Sequence, residues 1–181
     1  SVKTFIQNIH HYRDQYVDNE DEVPFDHVAI FDEAQRAWDR ENASKFMRQK
    51  RGKPHFNMSE PEFLISVLDR HSDWAVVVCL VGGGQEINTG EAGISEWLQA
   101  CRTSFPDWKV HLSPQLKSES PQTTRAIEEL NKEARISLHS ALHLSVSMRS
   151  FRAESLSLFV QNLLDENIEL SRNYYQKISS Q

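Results

Sequence analysis

No G-x-x-x-x-G-K-[ST] stretch occurs anywhere in the 181 residues, so the sequence contains no loop of the kind that cradles phosphates through backbone amides and a lysine. Long apolar runs are missing too, and nothing resembles a signal peptide, which argues against a membrane span and predicts a cytoplasmic protein. With only two cysteines, a disulfide scaffold is excluded. Cys79 lies in an apolar run and Cys101 on the apolar face of an expected helix, so both read as buried thiols in a reducing compartment. Positive charge is in deficit: the net charge of −6 gives no bulk attraction for nucleic acid, and any such contact must come from a local patch. Neither an internal repeat nor a low-complexity segment is found. Asn42-Ala43-Ser44 and Asn57-Met58-Ser59 fit the glycosylation sequon, but nothing else points to secretion. The sequence opens without methionine and inside a helical pattern, which suggests a portion of something longer.

What is present centres on residues 28–35, Val-Ala-Ile-Phe-Asp-Glu-Ala-Gln. Four apolar residues run into two adjacent carboxylates, Asp32 and Glu33. The run suits a strand buried on both faces of a parallel sheet, and ligands of such sheets gather at the carboxyl ends of the strands. Paired acids there can hold Mg²⁺ through its waters and polarise an attacking water, as nucleotide hydrolysis requires. They suit equally well the solvated start of a helix, whose dipole favours negative charge.

Along the chain, Phe5, Ile6, Ile9, Tyr12 and Tyr16 repeat at helical spacing, giving a helix over roughly the first 17 residues. An acidic linker from Asp18 to Glu22 follows, closed by Pro24. After the strand at 28–32, a helix is expected from about Gln35 to Gln49, broken by Gly52-Lys53-Pro54. Ser59-Glu60-Pro61-Glu62 is a capping box leading into Phe63, Leu64, Val67 and Leu68. Ala75 to Val81 reads as a second central strand, and Ile94, Trp97, Leu98 and Cys101 mark another helix. Trp108–Leu112 is a short strand. A polar helix covers about 121–133, supported by Glu128 and Lys132 at i,i+4 spacing. Leu142–Val146 alternates as a further strand, followed by a strongly amphipathic helix through Leu156, Phe159, Val160, Leu163 and Leu164, and a helical tail. The alternation predicts a three-layer α/β fold with a mostly parallel sheet. The organisation read from it is a leading helix and acidic linker (1–24), a main domain (25–165) and a C-terminal helical tail (166–181).

Five of the six glycines fall between Gly82 and Gly93, directly after the second strand. They lack the third glycine of a dinucleotide fingerprint, and by themselves they read as a flexible turn. Gln85 at this strand mouth can bond a terminal phosphate or an attacking water, or simply bridge the turn. Arg149, in Ser147-Met148-Arg149-Ser150, is either a surface cation or an arginine set against a γ-phosphate. The eight histidines build no metal site on spacing: His139 and His143 are i,i+4 but lack the glutamate of a metalloprotease helix. Lys45, Arg48, Lys50, Arg51 and Lys53 lie within nine residues. Alone, that cluster is a solvated helix end.

The order of these motifs carries a resemblance. Val28-Ala29-Ile30-Phe31-Asp32-Glu33-Ala34-Gln35 resembles the Walker B motif of superfamily-one helicases. Cys79-Leu80-Val81-Gly82-Gly83-Gly84-Gln85-Glu86-Ile87 is similar to their motif III, and Met148-Arg149-Ser150 to their motif IV. With Arg36-Ala37-Trp38 after the first and Asn88-Thr89-Gly90-Glu91-Ala92-Gly93 after the second, the texture resembles a bacterial family of uncharacterised P-loop ATPases related to the helicase-like C-terminal region of Schlafen proteins. The resemblance covers about residues 25–165. It implies a RecA-like fold whose phosphate-loop strand is not in this sequence. Asp32 would then be the Mg²⁺ ligand, Glu33 the catalytic base, Gln35 and Gln85 the phosphate sensors beside Gly84, and Arg149 the arginine finger. Gly84 stands where helicases usually carry an acid.

The resulting expectation is a fragment of a nucleic-acid-dependent ATPase motor that uses Mg²⁺ and ATP, inactive without a phosphate loop. Nucleic acid is expected at Lys45 to Lys53 with help from Trp38 or Phe46. The alternatives are a non-catalytic interaction module on the same scaffold and a Mg²⁺-dependent phosphoesterase using Asp32 and Glu33.

Overall fold

The computed structural model describes residues 6–82, 90–118, 120–144 and 151–179, the side chains of Ser118 and residues 151–154 excepted. The chain divides into two compact units, Ser1–Leu138 and His139–Gln181.

In the first unit, Val28–Phe31 forms strand β1 and Val76–Cys79 forms β2. Both are rich in β-branched residues that fit a pleated surface. They pair in parallel, Val28 opposite Val76 and Phe31 opposite Cys79. A parallel pair needs a crossover, and the sequence supplies it as two helices. The first is α2 (Arg40–Lys50), capped by Asp39, which accepts the Asn42 amide at 2.8 Å. The other is α3 (Glu60–Leu68), capped by Ser59, which accepts the Glu62 amide, with Pro61 in the first turn. The Ser59 half of the capping box is thus formed, while the Glu62 carboxylate accepts from Arg40 and Ser104. Ahead of β1 runs α1 (Ile9–Asp18). Arg70 holds the end of α1 and the acidic linker by donating to the carbonyls of Tyr16, Asn19 and Glu22.

Alternation across β1 and β2 decides where the core sits. Ala29, Phe31, Val77 and Cys79 face inward, against Tyr12, Leu64, Ile65 and Trp97. Val28, Ile30 and Val76 face outward, with Ile30 64% exposed. The expectation of a strand buried on both faces is corrected here: among the described residues of the first unit, helices cover one face of this pair only.

A second parallel pair joins β3 (Val110–Leu112) to β4 (Ile136–Leu138), with Val110 opposite Ile136. Between them lies α5 (Pro121–Lys132), capped by Ser120, and before them α4 (Gly93–Thr103). Leu98, Leu112, Ile127 and Leu130 close a separate cluster. Arg135 ties the end of α4 to β3, donating to the carbonyls of Cys101 at 2.7 Å and Trp108 at 2.9 Å. In the second unit, α6 (Phe151–Leu164) and α7 (Ile168–Ser179) pack on each other, with Phe159 against Tyr175.

The fold is thus α/β with short parallel sheets. Three local expectations fail. The helix expected from Gln35 is a short 3₁₀ turn, Ala34–Arg36, and regular helix starts only at Arg40, because residues 37–39 are drawn into pairing with residues 90–92. The partner of β3 is Ile136–Leu138. Leu142 ends a 3₁₀ turn, and residues 145 and 146 lie outside the described residues. Lys132 pairs with Glu129 at i,i+3 (2.8 Å), in place of the expected Glu128. No helix among the described residues is long and apolar enough to cross a membrane.

Candidate nucleotide site at the carboxyl end of β1

β1 ends at Phe31, and the chain turns at once. Asp32 and Glu33 both lie exposed at the carboxyl end of the strand, so no burial penalty attends the pair. Asp32 Oδ1 accepts the Glu33 amide at 3.0 Å. Glu33 adopts a left-handed conformation, φ 52° and ψ 41°, which glycine favours and a longer side chain adopts at a cost of about 1–2 kcal/mol. The turn is held from both sides: the Ala34 amide donates to Leu80 O beyond β2 at 3.0 Å, and Trp97 Nε1 donates to Ala34 O at 2.8 Å.

Gln35 is buried, at 3% exposure, and its amide joins the two strand ends. Its Nε2 donates to Glu33 Oε2 at 2.9 Å, while its Oε1 accepts the Gly82 amide at 3.4 Å, a long contact. Arg36 Nε also donates to Glu33 Oε2, at 3.2 Å. Both partners of that pair are about half-exposed, so solvent screens it and it releases readily.

Gly82 is the last described residue before the glycine-rich segment, and Gly90 is the first after it. The return point is tied to the same turn: the Asp39 amide donates to Gly90 O at 3.0 Å and the Ala92 amide to Ala37 O at 2.7 Å. Gly90 has φ +96°, and a Cβ there would lie 2.4 Å from Asn42 Nδ2. Asn42 is itself held by Asp39 Oδ1 at 3.0 Å. Gly90→Ala is therefore expected to destabilise by about 2 kcal/mol, from the left-handed backbone and the displaced amide. Urea unfolding measures this, and unchanged stability would show that residues 90–92 are not fixed to residues 37–39.

Of the residues singled out in the sequence, Asp32, Glu33 and Gln35 meet around one turn, next to Gly82. Gly84, Gln85 and Arg149 lie outside the described residues.

Sequence patterns gave no warning of the support beneath this turn. Arg13 and Glu60, each 2% exposed, pair at 2.8 Å. Glu60 Oε2 accepts the Trp38 amide at 2.9 Å, and the Glu60 amide donates to Trp38 O at 2.9 Å. The Arg13 guanidinium also lies over the rings of Trp38 (5.2 Å) and Phe46 (4.6 Å) and bonds Asp14. An arginine on a weakly amphipathic helix reads as surface, and only its partner 47 residues away shows otherwise.

On the outer side of Trp38 and Phe46 opens a cleft of about 370 Å³, lined also by Asn42, Lys45, Gln49 and Lys50. Lys45, Arg48 and Lys50 are exposed and enter no ion pair among the described residues. Arg51 is paired with Asp14 and Lys53 with Glu20. The basic stretch thus splits into three open cations and two that serve the fold. Cys79 and Cys101 are free thiols in the packed interior, and burial raises both from their ordinary range, Cys101 to about 11.

Among known proteins, no curated sequence and no solved structure matches this chain. One family model does, over residues 1–179: Schlafen group 3, DNA/RNA helicase domain. The match takes in nearly the whole chain, and with it the Asp32-Glu33 turn. This chain belongs to the Schlafen group 3 DNA/RNA helicase domain family.

Proposed function

We propose that this chain carries the water-activating part of an ATP site in a helicase-like, nucleic-acid-dependent motor, on a RecA-like three-layer sheet in which β1 and β2 are neighbours. The observation that carries the reading is the Gln35 bridge. It links Glu33, at the end of β1, to Gly82, where the segment bearing Gln85 leaves β2. Gln85 follows Gly82 by three residues, and three residues of extended chain reach at most about 11 Å.

The donor set fits a hydrated Mg²⁺. Asp32 is an exposed carboxylate with Oδ1 bonded to the Glu33 amide, which leaves Oδ2 for a magnesium-bound water. Bound with a triphosphate, Mg²⁺ supplies charge neutralisation between the phosphates. Glu33 is the general base: Oε2 takes the Gln35 and Arg36 donors, which leaves Oε1 to remove the proton of an attacking water. Gln35 fixes the orientation of Glu33 and passes the state of the site to Gly82, and with Gln85 and Gly84 it senses the terminal phosphate. Arg149 is the cation for charge developing on that phosphate. These last three roles rest on the motif resemblance. The 181 residues contain no phosphate loop, so the chain alone is expected to turn over no ATP.

The test uses a protein carrying this domain together with a Walker A loop. Glu33→Gln should cut ATP turnover by about a hundredfold or more while nucleotide binding persists. Turnover equal to that of the parent would discard the base assignment and leave an interaction module on an ATPase-derived scaffold.

The proposed polymer contact is the exposed surface of α2, where Lys45 and Arg48 lie side by side at i,i+3 and Lys50 joins Lys45 at the cleft. Lys45→Glu with Arg48→Glu should weaken single-stranded nucleic acid binding and reduce the salt slope by roughly one for each phosphate that is no longer neutralised. Arg51 and Lys53 are poor choices for this test because their loss breaks pairs with Asp14 and Glu20. An unchanged slope would exclude α2 from the interface.

A further inference from the structure

At the opposite end of the β1–β2 pair, three metal-ligating side chains converge. His27 immediately precedes β1, and His71 and Asp73 lie between α3 and β2. One potential ligand atom from each lies within 4.8 Å of the other two. His27 Nδ1 stands 3.7 Å from Asp73 Oδ1. The two imidazoles stack at 3.9 Å, and Trp74 covers the other face of His27 at 4.4 Å.

The hydrogen bonds around the rings are those of metal ligands. His27 Nδ1, which stands 3.7 Å from Asp73 Oδ1, also lies 2.7 Å from Trp74 O, so ligation uses Nδ1 in exchange for that carbonyl or Nε2 after the ring turns. His71 Nε2 lies 3.3 Å from Asp26 O and, as a donor, leaves Nδ1 with its lone pair. Each ring is thus anchored by a backbone carbonyl of the other's loop, the support that fixes tautomer and orientation at metal centres. Two imidazoles and one carboxylate with a side open to water make a donor set for a zinc-like divalent ion. Magnesium prefers oxygen ligands in octahedral array.

We propose that His27, His71 and Asp73 form a transition-metal site of the zinc class, clamping the amino ends of β1 and β2. It is separate from the carboxylates at the carboxyl end of the same strands. Ligands bound at 2.0–2.1 Å around a tetrahedral ion sit about 3.4 Å apart, so binding draws the cluster together and turns the stacked rings about their carbonyl contacts, at the expense of the stacking. His27 is half-buried and Asp73 is 62% exposed, which leaves both side chains room for that motion. The site would bridge loops more than forty residues apart, and a cross-link of that span restricts the unfolded chain.

Titration of the tag-free chain with Co²⁺, followed by visible d–d absorption and by Zn²⁺ competition, tests this. One equivalent should bind with a tetrahedral or five-coordinate spectrum. His27→Gln and His71→Gln should each weaken binding at least about 100-fold, because outer partners alone are worth 10–100-fold. Zn²⁺ at a hundred times its Kd should raise the melting temperature by roughly 5–10 °C in the parent and leave the variants unmoved. Asp32→Asn and His55→Gln should keep full Co²⁺ affinity, which separates this site from the proposed nucleotide site. No tetrahedral or five-coordinate band above that of aqueous Co²⁺ at millimolar metal, or equal affinity in the parent and the His27→Gln/His71→Gln double variant, overturns the proposal.

Discussion

Replacing Glu60 by alanine is expected to destabilise the protein by about 3–5 kcal/mol, the cost of leaving a buried charge without its partner. Arg13 is 2% exposed, and its guanidinium has no route to water when Glu60 is removed. The same change orphans the Trp38 amide, which donates to Glu60 Oε2 at 2.9 Å. For a chain of this length, the destabilisation corresponds to a fall in melting temperature of roughly 6–20 °C. Arg13→Ala should cost a similar amount, since it strands the carboxylate. Asp14 keeps its hydrogen bonds to Arg13 Nε and Nη2 and offsets part of the loss of Glu60, which puts the expected cost toward the lower end of that range. The double variant Arg13→Met/Glu60→Leu should recover much of the stability, because neither buried charge remains. A double variant as unstable as the sum of the two singles would show that the side chains act independently. The effect reaches the candidate site through Trp38: residues 37–39 hold both α3, through Glu60, and the returning chain at Gly90 and Ala92.

The second large effect concerns Glu33, and it separates function from stability. Glu33→Gly should stabilise the fold by less than about 1 kcal/mol, because glycine relieves the left-handed φ of 52°. The exposed pair with Arg36 that it removes is worth little, while loss of the acceptor of the buried Gln35 amide offsets part of the gain. Glu33→Gln keeps the strain and should leave the melting temperature nearly unchanged. In a protein carrying a phosphate loop, both variants should lose ATP turnover by about a hundredfold or more. A more stable but inactive Glu33→Gly is the mark of strain retained for chemistry. If it melts lower than the parent, Glu33 holds the turn together and the strain reading is wrong. If it hydrolyses normally, the carboxylate has no catalytic part.

Local chemistry made several elements legible in advance. The Ser59 capping box with Pro61 names the first turn of α3 through nearest-neighbour hydrogen bonding, and the structure has it there. The β-branched runs at residues 28–31 and 76–79 are strands, and they pair in parallel as their spacing around two helices requires. The helix after Asp32-Glu33 starts later than its pattern implies. Its first turn is taken over by pairing with residues 90–92, a competitor some fifty residues away that no local propensity registers. β4 is hidden in the sequence for a related reason. Ile136-Ser137-Leu138 is too short to show a period, and only β3 beside it makes it a strand.

For the site, the sequence by itself determined which groups are available: the Asp32-Glu33 pair at a strand end, the glycines after the next strand, and the membership that the whole pattern signifies. Those are features of composition and order, carried by covalent neighbours. Only the tertiary structure decided which groups meet. Gln35 joins two strand ends, Arg13 finds Glu60, and His27 comes to lie against His71 and Asp73. The pairs Gln35–Gly82, Arg13–Glu60 and His27–His71 each span 44 to 47 residues of chain. The physical reason is that helix and strand periods report which face of an element is apolar. The partner of a buried charge or an imidazole is set by how those faces stack.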